Sequence, residues 1–447
     1  MSEPAATMDA GKGDLPRRLG FATATAAVMG AIIGSGIFRV PAEIGALVGS
    51  PSAMILVWVL GGLATLCVAL SMAELAAMFP RAGGSYVFIR EAWGPGAAFV
   101  FGWTYLLINP AGWAGISMVF AEYAGKLIGL EPQNVRWLAV AAIVVVMAAN
   151  YRSVWLGAAL QNIATFAKVT AIVALALFLF ILGEPAVDVV VAGAAAPQSL
   201  TLPGLLTALV AVLWAYDGSV QACSMSGEIR DPQRNVPRAL IVGVGAVMTI
   251  YVLVNLAYLY VLPFVSIIAS PLVAAAAAEN VFGNAGSALI TALVMVSTFG
   301  TLAVVVMADP RVFFAMSRDR NFFEPIGKVH ARFQTPHIAI LMHGALAIAY
   351  VSIRSFEELA AIFILGVMPL YALAVAGVLR LRVTRPELPR PYCTFGYPYV
   401  PIVFVAAVAL ILGNSLIETP GITGINLLIT LSGVPVYFAW RAFSRRA

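Results

Sequence analysis

Three charged residues stand inside long apolar runs of this chain. Lys168 lies in QNIATFAKVTAIVALALF, Asp217 in WAYDGS (214–219) and Asp309 in VMADPRV. Ionisable groups within membrane-spanning segments are costly, and they persist where they pair or carry function. A further oddity is Gly34-Ser35-Gly36, in the middle of VMGAIIGSGIFRV (28–40). A helix broken there frees backbone N–H and C=O groups, which lipid tolerates only where they are buried or line a cavity. Freed N–H groups near Ser35, Gly36 and Ile37 suit a carboxylate. Freed carbonyls near Ile32 and Ile33, joined by those of Trp214, Ala215 and Tyr216, suit an ammonium group. Together the two breaks suit a zwitterion. Gly30, Ala31 and Gly34 could instead be a small-residue packing face.

These residues need a scaffold, and the chain offers one class only. Hydrophobic residues make up 61% of its 447 positions and charged ones 11%. With a mean hydropathy of +0.94, this is the composition of a polytopic membrane protein. Twelve segments can span a bilayer: 20–46, 53–79, 96–124, 136–150, 155–183, 203–228, 237–262, 284–317, 336–353, 357–381, 398–416 and 421–441. The two interruptions fall in the first and the sixth, matching places in two successive groups of five. Paired breaks of that kind point to a transporter site near the bilayer midplane. They tip GSG toward ligand binding over packing.

Charge placement gives orientation. With the N-terminus in the cytoplasm, only Arg39, Lys126, Arg136 and Arg354 of the 26 Lys and Arg face outside, Lys168 being intramembrane. This positive-inside bias puts both termini in the cytoplasm and explains the net charge of +5 without nucleic acid. Cys67, Cys223 and Cys393 are scattered and predict no disulfide or metal site. His330, His337 and His343 read as structural. The apolar run after Lys12, Arg17 and Arg18 has no Ala-x-Ala cleavage site where one would be needed, so it is expected to be retained. No His–Asp or Ser–His pair stands at helical spacing, which argues against an enzyme. No charge ring or filter loop suggests a channel.

The motifs IIGSGIF (32–38), MFPRAGGSYVFIREAWGP (78–95), WAYDG (214–218), GEIRDPQRNVPRA (227–239), PRVFFAMSRD (310–319) and RPELPRPYCTFGYPYVP (385–401) resemble the amino acid–polyamine–organocation superfamily. They are most similar to its L-type amino acid transporters and their bacterial relatives. The resemblance covers about residues 20–440. It implies an all-α polytopic fold with twelve transmembrane helices of the LeuT type. A cytoplasmic tail (1–19) precedes a first five-helix repeat (20–183). An inverted second repeat (203–381) and two C-terminal helices (398–441) follow. It implies a secondary active amino acid transporter of the inner membrane, with no cofactor. The expected activity is sodium-independent exchange of small neutral amino acids, and also cationic ones, by alternating access. Proton-coupled symport or export on the same fold is the alternative.

The resemblance also assigns roles. Ser35, Gly36 and Ile37 would hold the substrate carboxylate, and Trp214–Asp217 would complete the pocket, with Trp214 as an aromatic gate. Lys168 would stand where related transporters bind sodium, bridging helices one and eight, with Thr298 and Thr301 as candidate partners. Asp217 would face cationic substrates or cap the outgoing half-helix. Tyr258 would be a gating tyrosine or an interfacial aromatic. Ser219 replaces a common Trp, and Ala303 a common Asn. The loop GKLIGLEPQNVRW lacks the Cys by which animal members bond an accessory glycoprotein, so no disulfide-linked subunit is expected. Glu228, Asp231, Arg234 and Arg238 could form an inner gate with Arg18 or Arg81, while Asp231 and Asn235 read better as helix-start residues. Glu122 reads as interfacial. Asp309 either binds a proton or pairs with an Arg such as Arg311.

Overall fold

The computed structural model describes residues 19–80, 83–152, 155–186, 200–220, 223, 229–333 and 335–444, with the side chains of 155–165 and 167 excepted. Among them every regular element is helical, and the only extended pairing is a bridge between Leu19 and Ile229. Arg18, Arg81 and Glu228 of the expected inner gate, and nearly all of the expected N-terminal tail, lie outside the described residues.

Helices stand at each of the twelve expected segments. The first segment is a bent pair, α1 (Phe21–Ile32) and α2 (Gly36–Val48), whose axes differ by 46°. Next come α3 (Pro51–Met78), a short α4 (Ser85–Trp93), and α5 (Pro95–Ile108) running into α6 (Pro110–Ile128). Helices α7 (Val135–Arg152) and α8 (Trp155–Leu182) follow. The sixth segment forms α9 (Leu202–Tyr216) and stops at the expected break. Then come α10 (Pro232–Val261), α11 (Phe264–Ala269), α12 (Val273–Ala308) and α13 (Pro310–Arg318). Gly283 takes φ 65° and kinks α12, so its straight part begins at the predicted residue 284. Helices α14 (His337–Ile353), α15 (Phe356–Thr384), α16 (Tyr399–Glu418) and α17 (Pro420–Ser444) complete the chain.

Among the described residues seven helices are long and apolar enough to cross a membrane, and the bent pair makes an eighth. The protein is therefore an integral membrane protein. Local chemistry sets several helix starts. Ser50 accepts from Ala53 N–H ahead of Pro51, and Thr201 does the same for Gly204 ahead of α9. Ser355 and Glu358 form a reciprocal capping box at the head of α15. In the packing, α1 lies along α10, α2 along α9, and α6 against α12, α14 and α15. The two broken segments thus meet around α6 and α12.

Candidate functional site

Both breaks are closed by very short contacts that only glycine permits. A Cβ on Gly36 would lie 2.3 Å from Ala215 Cα, so the start of α2 rests directly on the end of α9. Gly218 takes φ 114°, and a Cβ there would lie 2.4 Å from the Ala31 carbonyl oxygen. Close packing at these glycines brings the two breaks together. At the start of α2 the Phe38 N–H turns back to Ser35 O at 3.2 Å, while Gly36 and Ile37 have no carbonyl of α2 four residues before them, and Asp217 is extended past the last turn of α9.

A cavity opens here. Of the predicted residues, Ile32, Ser35, Gly36, Trp214, Asp217 and Thr301 line it, with Gly34, Asn109, Trp113, Val305, Asp309 and Phe363 among their neighbours. Ile33, Ile37, Ala215 and Tyr216 are buried behind the wall. The Tyr216 ring turns away and its hydroxyl donates to the Trp58 carbonyl at 3.1 Å. Trp214 closes one side, edge-on to Phe356 and Phe363 at 5.6 and 5.4 Å. Its ring fits only because residue 115 is glycine.

Lys168 is buried, and its ammonium donates to the Gly30 carbonyl at 2.5 Å and to Thr301 Oγ1 at 3.3 Å. It therefore joins α8 to α1 and α12. Thr298, the other expected partner, instead bonds back to Val294 O at 2.8 Å. Asp217 accepts from the Tyr371 hydroxyl at 3.2 Å. The cap reading of Asp217 turns on the outgoing half-helix, most of which lies outside the described residues.

Several expectations change. Asp309 does not pair with Arg311, which is exposed. It accepts from Tyr105, Asn109 and Trp113. Tyr258 is fully buried off the cavity, and its hydroxyl has no partner among the described residues. The tyrosine at the breaks is Tyr251, seven residues earlier on α10. Its hydroxyl lies 3.1 Å from Ile32 O and 3.2 Å from Ala215 O, so one hydrogen serves carbonyls of both broken helices. Its position in the sequence carried no signal to separate it from Tyr258. His343 is buried against Trp113 and Phe313, and neither ring nitrogen has a hydrogen-bond partner among the described residues.

Glu122 is not merely interfacial: it is tied to the first broken segment. Arg39 is a buried part of α2. It pairs with Glu122 of α6 at 3.0 Å and Glu357 of α15 at 2.6 Å, and lies over the Phe356 ring. Arg39 thereby ties α2, the second half of the first broken segment, to α6 and α15. On the opposite side, Arg90 of α4 pairs with Asp319, which also accepts from Tyr86 at 3.0 Å. Burial, and then the Asp319 charge, push the Tyr86 phenol up to about 12, so it stays a donor. Asp231 precedes Pro232 as expected but makes no side-chain cap bond.

The amino acid permease model matches residues 19–440. The chain belongs to that family. The permease is 30% identical to the serine/threonine exchanger SteT of Bacillus subtilis (strain 168), over 96% of this chain and 97% of that one. It is 32% identical to the human b(0,+)-type amino acid transporter 1, over 84% of this chain and 78% of the relative. It is 29% identical to the human cystine/glutamate transporter, over 97% and 87% respectively. The permease is accordingly an amino acid transporter and not an enzyme.

Proposed function

We propose that this permease is a sodium-independent exchanger of small neutral L-amino acids, and also of cationic ones. It works by alternating access around α1–α2 and the α9 break. The observation that carries the reading is the convergence of the two breaks on one cavity, with the Lys168 ammonium beside it. The α-carboxylate binds at the N–H groups opening α2, near Ser35 and Gly36. The α-ammonium binds between Ile32 O, at the end of α1, and Asp217 of the opposing break. Lys168 supplies a tethered cation between α1 and α12, so a mobile sodium ion is not needed. The similarity to a serine/threonine exchanger supports the coupling mode.

The architecture in this reading has twelve transmembrane helices. Two inverted five-helix repeats, 20–183 and 203–381, precede a pair at 398–441. Both termini lie in the cytoplasm, and the protein acts without a disulfide-linked partner. Asp217 and Asp309, both on the cavity wall, favour proton symport as a second reading. One experiment separates the two: uptake of labelled amino acids into sodium-free proteoliposomes, empty or preloaded with unlabelled alanine, serine, leucine and arginine. Uptake only into preloaded vesicles is the expected outcome. Equal uptake into empty vesicles under an inward proton gradient would establish symport instead.

A further inference from the structure

Asp309 is the one carboxylate of the cavity wall with no role in the exchange reading. It follows the last residue of α12 and is 3% exposed. Three donors from α5 and α6 and the residue between them, spaced four apart, converge on it. Tyr105 donates to Oδ1 at 2.8 Å, while Asn109 and Trp113 donate to Oδ2 at 2.5 and 2.7 Å. All three donors are neutral. Three donors aimed at one group suit an acceptor-only anion. A carboxylate offers about four acceptor positions. Among the described residues Oδ2 has used both of its own, and one position on Oδ1 is open.

We propose that Asp309 is a specificity-determining residue whose open Oδ1 position takes the side-chain cation of a dibasic amino acid. The permease then prefers lysine, ornithine or arginine over serine or alanine. The proposal rests on the exchange reading and adds the substrate class.

Charge supports it. Asp217 and Asp309 place two carboxyl groups on the wall, and the Lys168 nitrogen beside it is already engaged by Gly30 O and Thr301. With its α-ammonium at Asp217, a zwitterionic substrate brings no second cation to Asp309. A dibasic substrate does, and a buried carboxylate is costly without such a partner. Shape supports it as well. Thr301, Val305 and Asp309 line the cavity from one face of the same helix run, spanning about 12 Å at 1.5 Å per residue. Thr301 packs at the Gly34 break, its methyl 3.3 Å from where a Cβ on Gly34 would lie. A serine side chain ends near that level. The methylene stem of lysine or arginine lies along Val305 with its charged tip toward Asp309.

The test uses full-length protein in sodium-free vesicles loaded with unlabelled serine. Labelled arginine and labelled serine are followed in parallel. Wild type should take up arginine with the lower KM. An inside-negative potassium diffusion potential should speed arginine-for-serine exchange severalfold and leave serine-for-serine exchange unaffected. Asp309→Asn should raise the ratio of arginine KM to serine KM at least tenfold. Its amide oxygen still accepts from Asn109 and Trp113, and the Tyr105 hydroxyl can turn to accept from the amide nitrogen, so the cage survives. Tyr105→Phe keeps the charge and should hold the ratio within about threefold. Serine exchange without arginine exchange in wild type, or an equal loss of both in Asp309→Asn, overturns the subsite. If wild type exchanges nothing, the exchanger reading fails, and thermal-shift binding decides the subsite. Protection of wild type but not of Asp309→Asn by arginine supports it, and no arginine protection of wild type overturns it.

Discussion

The Lys168 ammonium sits 2.5 Å from the Gly30 carbonyl, one turn before the break in the first helix, and 3.3 Å from Thr301 Oγ1. Gly30 O is among the last carbonyls of α1, which lack intrahelical donors, so the lysine supplies the donor that the break removes. It also fixes the distance between α1 and α12. Lys168→Ala should therefore lower exchange at least tenfold while shifting the melting midpoint by only a few degrees, because a buried charge leaves together with its bonds. Parallel thermal-shift and counterflow measurements on one preparation check this. Wild-type turnover in the variant would remove Lys168 from the transport cycle.

Gly36 makes the closest backbone approach at the site. Its missing Cβ leaves room for Ala215, whose Cα and Cβ would lie 2.3 and 2.5 Å from one built there. Gly36→Ala should destabilise by about 1–3 kcal/mol, the usual cost of overpacking. Ala215→Gly in the same chain should restore only part of that loss, because the backbone clash remains. Detergent melting curves of the two variants against wild type read the difference directly.

Tyr251 shares one hydroxyl hydrogen between Ile32 O and Ala215 O. Removing it leaves buried carbonyls on both breaks without that donor, at a cost of about 1–3 kcal/mol if no water replaces it. Tyr251→Phe should thus cost both stability and exchange, whereas Tyr258→Phe should cost neither, its hydroxyl having no partner among the described residues. Side-by-side melting and transport assays of the two variants separate these residues.

The breaks were legible because Gly-Ser-Gly and Asp-Gly-Ser are incompatible with an uninterrupted apolar helix, and the spans because hydropathy alone marks them. Lys168 was legible because a charge in lipid demands a reason. What the sequence hid was partnership at a distance. Nothing near Arg39 announces Glu122 or Glu357, which only the assembly of three helices brings together. Tyr251 and Tyr258 share one face of one helix at a spacing of seven, so periodicity could not choose between them. Asp309 drew attention by its burial in an apolar run, yet its three donors lie some two hundred residues earlier.

Arg39 bridges two carboxylates on different helices. Its planar fork serves both at once, which a lysine ammonium does less well. Arg39→Ala leaves Glu122 and Glu357 facing each other without a cation. Since the Glu357 side chain is 43% exposed, the loss should be about 2 kcal/mol, below that of a fully buried pair. Arg39→Lys should recover the stability in part but exchange much less, if the bridge sets how α2 closes against α6 and α15. Equal recovery of melting point and exchange rate would assign the bridge to stability alone.

Glu74 lies in α3 and is 1% exposed. It accepts a bidentate pair from Arg382 of α15 at 3.0 and 2.7 Å, and the Thr394 N–H at 2.7 Å. Arg382 also stacks on the Tyr397 ring at 3.8 Å. The loop RPELPRPYCTFGYPY is thereby anchored to α3, with Arg390 also 3.7 Å from the Glu74 carboxylate and Thr394 Oγ1 donating to Leu70 O at 3.4 Å. Glu74→Ala strips the loop of that carboxylate and leaves a guanidinium and an N–H unpaired. With Arg382 still 22% exposed, the cost should be about 2–4 kcal/mol. The loss should fall on the loop and not on the cavity, which Glu74 does not line. Limited proteolysis should cut the variant faster between residues 385 and 398 while the KM for substrate changes little. A raised KM with an unchanged cleavage rate would place Glu74 in the transport cycle and not in loop anchoring.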